Sequence, residues 1–341
     1  MAARQELLIG TRNSKLALVQ AERVSNALAG ANPGTKFPWR TVSVSGDVDK
    51  TSPFLKFAGP SDAAKNIWTE EMEAKLVSGE LNLLVHCLKD MPTRLPVGCV
   101  LGAIVHREDP TDALVVKESL RGQYSDLAQL PPGSVVGTSS TRRKALLALR
   151  YPQLVVEECR GNLDTRLRKL DDPNGPYAAI IVATAGLVRI DMAHRITRRL
   201  PPSDFPYAVG QGALGIEVRE HDSDTRSRIQ RIEDPLVRKM CLAERSLLRT
   251  LQGGCSSPVA VNCTAETPGP SASPSLARLR LEGTIIHPQG TSQVSAWAAA
   301  DVGDDNAAEV LGAEVARRLL EDGGRNLLEE ISRFYKSNSL R

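Results

Sequence analysis

Short apolar runs alternate along the chain with longer segments whose apolar residues recur every three or four positions. The short runs LLIG, LNLLVH, SVVGTS and AAIIVAT predict strands. The segments from Ser14 to Leu28 and from Trp68 to Ser78 predict helices that pack on the sheet faces. This alternation is typical of an α/β protein with largely parallel sheets.

Two segments of similar sequence indicate two similar lobes. IGTRNSKLALVQ near the N-terminus and VGTSSTRRKALLAL from Val136 each read as a strand end, Gly-Thr, hydroxyl and arginine residues, and a helix. Between them, HREDPTDALVV contains an Asp-Pro break and suits a crossover segment. The Pro- and Gly-rich RRLPPSDFPYAVGQGALGIEVR is interpreted as a second crossover that returns to the first lobe.

The pattern changes after about residue 232. A helix from Pro235 to Leu251 leads into GGCSSP, and the strands VAVNCTA, LARLRLEGTII and WAAADV precede a helix from Ala307 to about Leu320. The low-complexity ETPGPSASPS is interpreted as a long hairpin loop between two of these strands. We therefore expect two doubly wound α/β lobes and a small C-terminal α+β domain. The expected domains are residues 1–107 with 210–231, residues 108–209 and residues 232–341.

Composition narrows the functional classes. The 341 residues include 41% hydrophobic residues, and 43 Lys+Arg against 40 Asp+Glu leave a net charge of only +3. No overall field would draw such a chain to nucleic acid or to an anionic membrane, so its basic residues must act locally. Without a long apolar run or a signal sequence before Leu7, we expect a cytoplasmic protein. Six cysteines without a C-x-x-C pair and five scattered histidines indicate neither a disulfide framework nor a zinc site.

Arginine and hydroxyl residues gather where strands give way to helices, in GTRNS, GTSSTRR and CRGNLDTR. Helix N-termini offer free N–H groups and a positive dipole end, and strand C-termini form the ligand crevice of open α/β sheets. The candidates are Arg12, Ser14, Thr138, Ser139, Ser140, Arg142, Arg143, Arg160 and Arg166. Because none of these turns contains a Walker or G-x-G-x-x-G loop, several carboxylates fit better than phosphate. Individually, each candidate could equally be a helix cap or a solvated helix residue.

Two further places carry candidate chemistry. Lys89 and Asp90 follow an apolar strand in LLVHCLKDMPT, where Asp90 could stabilise a cation or move protons. Spacing alone favours an ordinary turn role for Asp90. It also favours a packing role for His86 at the strand end, and Cys87 is most simply a small buried hydrophobic residue. Cys255 follows two glycines and could be a nucleophile or a covalent attachment point, although a lone cysteine is usually structural.

Over nearly its whole length the chain resembles the porphobilinogen deaminases, also called hydroxymethylbilane synthases. The resemblance is carried by the order and spacing of GTRNSKLALVQ, VHCLKDMPT, VVGTSSTRRKA, RGNLDTRLRKLDD, ATAGLVRI, YAVGQGALGIEVR, AERSLLRTLQGGCSSPVAV and DGGRNLLEEI. KNIWTEEME and LVHCLKDMPT are most similar to fungal members.

The resemblance implies a three-domain, monomeric enzyme of tetrapyrrole synthesis whose first two lobes are similar to periplasmic binding proteins. It would be a transferase that joins four porphobilinogen molecules head to tail, with loss of ammonia at each addition. Water would then release 1-hydroxymethylbilane, which would pass to uroporphyrinogen-III synthase. The growing chain would be held on a dipyrromethane cofactor, bound by a thioether to Cys255.

Matching the motifs residue by residue implies that Asp90 is the catalytic aspartate. The residues expected to bind the cofactor are Lys89, Thr138, Ser139, Ser140, Arg142, Arg143, Arg160, Gly161 and Arg166. Those expected to face the substrate are Arg12, Ser14, Arg189 and Gln211, with Lys56 and Lys65 on a lid. The chain departs from the family at Cys87, Glu70 and Gln252, where serine, lysine and glutamate are common, and FAGPSDAAKN is longer than its counterpart.

Two alternatives come from other functional classes. A non-catalytic, two-lobed binder of a polycarboxylate is compatible with the arginine-rich crevice, but it leaves the GGCSSP loop without a use. A nucleic-acid module centred on STRRK lacks both interleaved aromatics, which are only 4% of the residues, and a net basic charge. Turnover of porphobilinogen would separate the enzyme from the binder.

Overall fold

Three β-sheets organise the chain in the computed structural model, which describes residues 4–42, 69–251, 258–266 and 276–339. The described strands are β1 (Ile9–Arg12), β2 (Trp39–Val42), β3 (Leu83–Cys87), β4 (Cys99–Val105), β5 (Asp112–Val116), β6 (Val135–Gly137), β7 (Val155–Glu157), β8 (Tyr177–Ala183), β9 (Arg198–Leu200), β10 (Leu214–Arg219), β11 (Val259–Glu266), β12 (Ala277–Ile286) and β13 (Gln293–Val302).

The helices lie between these strands and after the last of them. The described α-helices are α1 (Lys15–Ala31), α2 (Glu70–Val77), α3 (Thr141–Arg150), α4 (Leu163–Asp171), α5 (Thr184–Arg189), α6 (Ser223–Ile229), α7 (Pro235–Thr250), α8 (Asp305–Leu319) and α9 (Arg325–Ser339). A short 3-10 turn, Leu88–Asp90, follows β3 directly. Within the described part of the chain, no helix is long and apolar enough to cross a membrane.

The two five-stranded sheets share one topology. Their strand orders are β2-β1-β3-β10-β4 and β7-β6-β8-β5-β9. In each sheet the first three strands are parallel, and the fourth is antiparallel to both of its neighbours. The expectation of largely parallel sheets is therefore wrong for half of the pairings. The fourth strands, β5 and β10, enter from the other lobe along the two crossovers, so no helix has to return them parallel to their neighbours.

The similarity between IGTRNSKLALVQ and VGTSSTRRKALLAL corresponds to two equivalent strand–turn–helix units, one in each lobe. Ser14 is the N-cap of α1, where its Oγ accepts a hydrogen bond from Ala17 N at 3.3 Å. Ser140 caps α3 in the same way and accepts from Arg143 N at 3.4 Å. Each cap satisfies a backbone N–H that the helix leaves free, so the sequence fixes where each helix begins.

Apolar side chains on both faces of each sheet hold the lobes together. In the first lobe, Val24 and Leu28 of α1 pack in one core cluster, and Met72 and Leu76 of α2 pack in another. In the second lobe, Leu146 of α3 lies in a core cluster with residues of β5, β6 and β8. Helix packing on both faces leaves the strand C-termini and their turns free to line a cleft.

The third unit is an antiparallel sheet of order β11-β12-β13 whose core includes residues of α7 and α8. Its β11–β12 pairing agrees with the predicted hairpin, whose loop lies outside the described residues. Helix α8 begins two residues earlier than predicted because Asp304 Oδ1 accepts from Ala307 N at 2.8 Å and caps the helix. For α2, the predicted start at Trp68 lies outside the described residues.

A buried ion pair joins the third unit to both crossovers. Arg107 of the first crossover donates to the two carboxylate oxygens of Glu244 on α7, at 2.7 and 3.1 Å. Glu244 also accepts from Gly210 N of the second crossover at 2.8 Å. The predicted domain limits fall between the three sheets, and they stay a prediction.

Candidate active site

A cleft of about 280 Å³ lies between the two lobes, lined by residues of both. The first lobe contributes the end of β1, the first turns of α1, the end of β3 and the turn after it. The second lobe contributes Arg143 of α3, the first turns of α4 and half of the residues of α5. The N-termini of α1 and α4 thus border the cleft, and their free N–H groups favour an anionic ligand.

Positive charge dominates the lining of this cleft. Among the described residues, six lysines or arginines line it against two carboxylates. The cations are Arg12, Lys15, Lys89, Arg143, Arg166 and Arg189, and the carboxylates are Asp90 and Asp164. The chain as a whole carries only +3, so its excess of positive charge is concentrated where the lobes meet.

The turn Leu88–Asp90 presents two predicted site residues to the cleft. Buried Leu88 anchors the turn, and its N–H donates to Ala213 O at 3.0 Å. Asp90 is exposed in the cleft, and Lys89 beside it is half-buried. Burial lowers the pKa of Lys89, and the charge of Asp90 partly opposes that shift. The turn therefore places a carboxylate and an ammonium group side by side at the cleft.

Arg142 and Arg143 share one buried carboxylate, that of Asp112 on β5. Arg143 Nη2 donates to Asp112 Oδ1 at 2.7 Å, and Arg142 Nη1 lies 2.8 Å from Oδ2. Burial alone would raise the pKa of Asp112, but the two guanidinium groups hold it well below its usual range. Arg143 lines the cleft, whereas Arg142 lies behind it and donates to Pro206 O.

Other predicted site residues also lie behind the cleft lining. Gln211 is buried, and its amide donates to Asp112 Oδ1 at 2.8 Å and to Pro110 O at 2.7 Å. Ser139 Oγ donates to Cys159 O, Thr138 Oγ1 accepts from Ser140 N, and Arg160 pairs with Glu158. These contacts support the walls of the cleft. Direct contact of Arg142, Thr138, Ser139, Ser140, Arg160 and Gln211 with a ligand stays a prediction.

Arg166 and Gly161 form one corner of the cleft. Arg166 Nε donates to Gly161 O at 2.8 Å. Gly161 has φ +114°, and a Cβ there would lie 2.9 Å from Thr165 Cγ2, so a side chain would be strained and crowded. Burial, and then the charge of Arg143, lower the pKa of Arg166. Because the two guanidinium groups repel each other and line the same cleft, they favour an anion between them.

Arg189, the last residue of α5, is buried and connects the second lobe to the returning crossover. Its Nη2 donates to Gly212 O, and burial lowers its pKa. Arg12 at the end of β1 and Ser14 at the cap of α1 line the cleft from the first lobe. Three of the residues predicted to face the substrate, Arg12, Ser14 and Arg189, thus line one cleft with Asp90.

Three residues have surroundings that the sequence interpretation missed. Cys87 is not the buried hydrophobe expected, because it lines the cleft and its Sγ lies 3.1 Å from Gln20 Nε2. Burial, and then Asp90, raise the pKa of the Cys87 thiol, so it is a poor nucleophile. His86 is buried as expected but also pairs with Glu217. Asp112 was not among the candidate residues, although a carboxylate at the first position of the apolar run DALVV indicates a buried ion pair.

Three further predictions, for Lys56, Lys65 and Cys255, lie outside the described residues.

Comparison with known proteins gives matches along most of the chain. The family model described as "Porphobilinogen deaminase, dipyromethane cofactor binding domain" matches residues 7–227, and that for "Porphobilinogen deaminase, C-terminal domain" matches residues 238–321. The porphobilinogen deaminase of Yarrowia lipolytica is 43% identical over 331 residues, which cover 96% of this chain and 93% of the relative. Those of Saccharomyces cerevisiae and Synechococcus elongatus are 40% and 41% identical, covering 96% and 95% of this chain and 98% and 94% of theirs.

Among solved structures, a YaeC-family lipoprotein of Enterococcus faecalis matches with a TM-score of 0.40 at 13% identity, covering 69% of this chain and 94% of that one. A periplasmic binding protein of Salmonella typhimurium matches with a TM-score of 0.36 at 14% identity, over 69% and 96%. Similarity at this level carries no inference about function.

Proposed function

Because this chain belongs to the porphobilinogen deaminase family, an enzyme family of tetrapyrrole synthesis with a dipyrromethane cofactor-binding domain, we propose that it is the transferase hydroxymethylbilane synthase. It joins four porphobilinogen molecules head to tail, loses ammonia at each addition, and releases 1-hydroxymethylbilane by hydrolysis. The observation that carries this proposal is the cleft, which six lysines and arginines of the described residues line together with Asp90 and the start of α4.

The residues present fit the carboxylates of pyrrole ligands. Each pyrrole unit carries an acetate and a propionate, so both the cofactor and the growing chain are polyanions. Lys89, Arg166 and Arg189 are cations whose pKa is lowered by burial, and a bound carboxylate would offset that cost. Arg143 adds an Nε–H without a partner among the described residues.

We assign Lys89, Arg143, Arg166 and the backbone at Gly161 to the cofactor carboxylates, and we place its thioether attachment at Cys255. When bound, the dipyrromethane supplies the terminal pyrrole carbon at which chain growth begins. We also assign to cofactor binding five residues whose contacts in this structure support the wall that carries Arg143. They are Arg142, Ser139, Ser140, Thr138 and Arg160.

Arg12, Ser14 and Arg189 are assigned to the incoming substrate because they line the cleft around Asp90. Their guanidinium and hydroxyl groups would bind its two carboxylates and orient its aminomethyl group toward the aspartate. Gln211, which contacts Asp112, would act from behind by holding the carboxylate that orients Arg143. Lys56 and Lys65 are proposed to cover the cleft.

Asp90 is proposed as the catalytic residue. When the carbon–nitrogen bond of the substrate breaks, its electron pair leaves with ammonia and an azafulvenium cation remains on the substrate. The carboxylate of Asp90 would accept a hydrogen bond from the pyrrole N–H and stabilise that positive charge. Its exposure on the turn Leu88–Asp90 also lets it take up the proton that a second pyrrole ring loses when its free ring carbon forms a bond to the methylene carbon of this cation.

Turnover distinguishes this enzyme from a non-catalytic binder of polycarboxylates, for which the cleft alone would suffice. Purified protein incubated with porphobilinogen should release ammonia and form 1-hydroxymethylbilane. Asp90→Asn should lower kcat by roughly 10² to 10⁴ while keeping the cofactor. The matched control is Asp301→Asn, which removes an exposed carboxylate of β13 and should leave kcat unchanged. Full activity of Asp90→Asn would refute its role, and wild-type protein that binds porphobilinogen without releasing ammonia would favour the binder.

We also propose that the enzyme acts in the cytoplasm as a monomer and passes its product to a uroporphyrinogen-III synthase. The proposed domains are residues 1–107 with 210–231, residues 108–209 and residues 232–341. Light scattering of the purified protein should give the mass of one chain, 36.9 kDa, plus its cofactor.

A further inference from the structure

A buried cluster of two glutamates and a histidine lies next to the cleft, and its histidine, His86, also lines the cleft. Glu217 on β10 is 0% exposed, Glu73 on α2 is 5% exposed, and His86 on β3 is 7% exposed. His86 Nε2 lies 3.0 Å from Glu217 Oε2. Ionisable side chains are almost never buried this deeply unless they are paired, so the charges of this cluster must be balanced within it.

The described surroundings of the cluster supply too little positive charge for two carboxylates. Among the residues that the structure describes, no lysine or arginine forms an ion pair with Glu73 or Glu217. Oε1 of Glu73 is buried without a hydrogen-bond partner there, and the groups beside the Glu217 carboxylate are the His86 imidazole and the Cys99 thiol, neither of which is a permanent cation. Two buried carboxylates with no lysine or arginine paired to either are not both ionised, so we infer that one of them holds a proton.

The proton belongs on Glu73. Burial, and then the charge of Glu217, raise the pKa of Glu73 to about 7, while Thr69 and His86 partly oppose the shift. The other charged or titratable neighbours are Glu70 on the same helix, Cys99 on β4 and Arg219 on β10. The guanidinium of Arg219 is engaged elsewhere, because it donates to Leu76 O of α2 and pairs with Asp222. The pKa of Cys99 is raised to about 12 by burial and by Glu217, so this thiol stays neutral and supplies no compensating charge.

This cluster is directly connected to the turn that carries the proposed catalytic residue. His86 and Cys87 are the last residues of β3, and the turn Leu88–Asp90 follows at once. Strand β10 pairs with β3 through Gly215↔His86 and Leu214↔Cys87. His86 also lines the cleft together with Asp90. A shift of the His86 imidazole would therefore move the end of β3 and the turn that begins there.

We propose that the buried Glu217 and Glu73 are positioning residues that fix His86, and through it the turn Leu88–Asp90, in the catalytic geometry. The proposal rests on the function proposed above, because it gives the cluster a role in porphobilinogen turnover. Loss of the Glu73 proton leaves two buried carboxylates against one imidazole. Their repulsion loosens the contact of Glu217 with His86 and thereby displaces Asp90.

Two variants and one control test this role. Glu73→Gln mimics the protonated acid, so it should keep the wild-type kcat at about pH 6 and lack the decline of kcat that we expect of wild type above pH 7. The kcat of Glu73→Gln divided by that of wild type should rise roughly tenfold between about pH 6.5 and pH 8.5. Glu217→Gln should lower kcat roughly tenfold or more with KM little changed, because it misplaces Asp90 rather than removing a substrate contact. Glu22→Gln, which removes an exposed carboxylate of α1, should match wild type at every pH.

Infrared difference spectroscopy on the same holoenzyme reports the proton independently of turnover. Wild type at pH 6 should show the C=O stretch of a protonated carboxyl that titrates near pH 7 and is absent from Glu73→Gln. Absence of that band, or identical pH profiles of kcat for wild type and Glu73→Gln, would overturn the proposal. If the band is present but wild type produces no hydroxymethylbilane at any pH, the proposed function fails, and the positioning role fails with it.

Discussion

Replacing Asp112 by asparagine tests how the arginine-rich wall of the cleft is held. The change keeps the shape of the side chain and one acceptor oxygen for Arg143 and Gln211, but it removes the negative charge. Arg142 and Arg143 would then be two buried guanidinium groups without a counter-ion at this position. The variant therefore isolates the electrostatic part of the contact.

The expected cost follows from the burial of all three groups. Removing one partner of a buried ion pair costs about 3 to 5 kcal/mol, because the remaining charge stays desolvated. Because Asp112 pairs with two arginines, we expect Asp112→Asn to lower the free energy of unfolding by about 4 kcal/mol or more, which is roughly a thousandfold in the unfolding equilibrium constant. The pKa of Asp112 is lowered in the folded protein, so its contribution is complete above the unfolded value of about 3.9 and is lost as the pH falls below it.

Urea unfolding followed by circular dichroism at pH 7 and at pH 3 measures this difference. Asp301→Asn, which breaks an exposed 3.2 Å contact with Arg278, is the control and should cost at most about 1 kcal/mol. Asp112→Asn should be much less stable than the control at pH 7, and the gap should narrow at pH 3. Equal stability of the two variants at pH 7 would refute the electrostatic explanation, and so would a gap that is unchanged at pH 3.

Three further results are expected. Gly212→Ala should lower the melting temperature more than Gly34→Ala, because both glycines have φ above +80° but only at Gly212 would the new Cβ lie 2.2 Å from a carbonyl oxygen; equal melting temperatures would contradict this. The free energy of unfolding of wild type should fall relative to Glu73→Gln by roughly 3 kcal/mol between about pH 4 and pH 8, because folded Glu73 keeps its proton to about pH 7; parallel stability curves would exclude the raised pKa. KM for porphobilinogen should rise with ionic strength while kcat changes little, because salt screens the cations of the cleft; a salt-independent KM would argue against electrostatic substrate binding.

The sequence predicted secondary structure well where a helix-capping residue or the hydrophobic periodicity determines it. Ser14 and Ser140 show where α1 and α3 begin, because a hydroxyl before an apolar period satisfies the first free N–H groups. The direction of β5 and β10 could not be read in this way. It depends on which lobe each strand enters, and an apolar run has the same pattern in either direction.

The candidate site was predictable as a set of residue types but not as individual roles. Arg142 and Arg143 are adjacent in sequence, yet only Arg143 lines the cleft, because Asp112 and Pro206 O hold Arg142 behind it. Nothing within α3 distinguishes the two arginines, since both pair with Asp112 of β5 and the contact that differs, Pro206 O, lies in the second crossover. The pairing of Glu217 with His86 is equally non-local, because it requires β10 to return beside β3.

The covalent cofactor is the feature that most directly separates this enzyme from a binding protein. The intact mass of the denatured protein, followed by peptide mapping, should show an excess of two linked pyrrole units on the peptide that contains Cys255. Cys255→Ser should lack that excess, whereas Cys87→Ser, which changes the thiol that lines the cleft, should retain it. A Cys255 peptide that stays unmodified even after incubation with porphobilinogen would contradict the proposed enzyme, and an adduct on another cysteine would contradict the proposed attachment site.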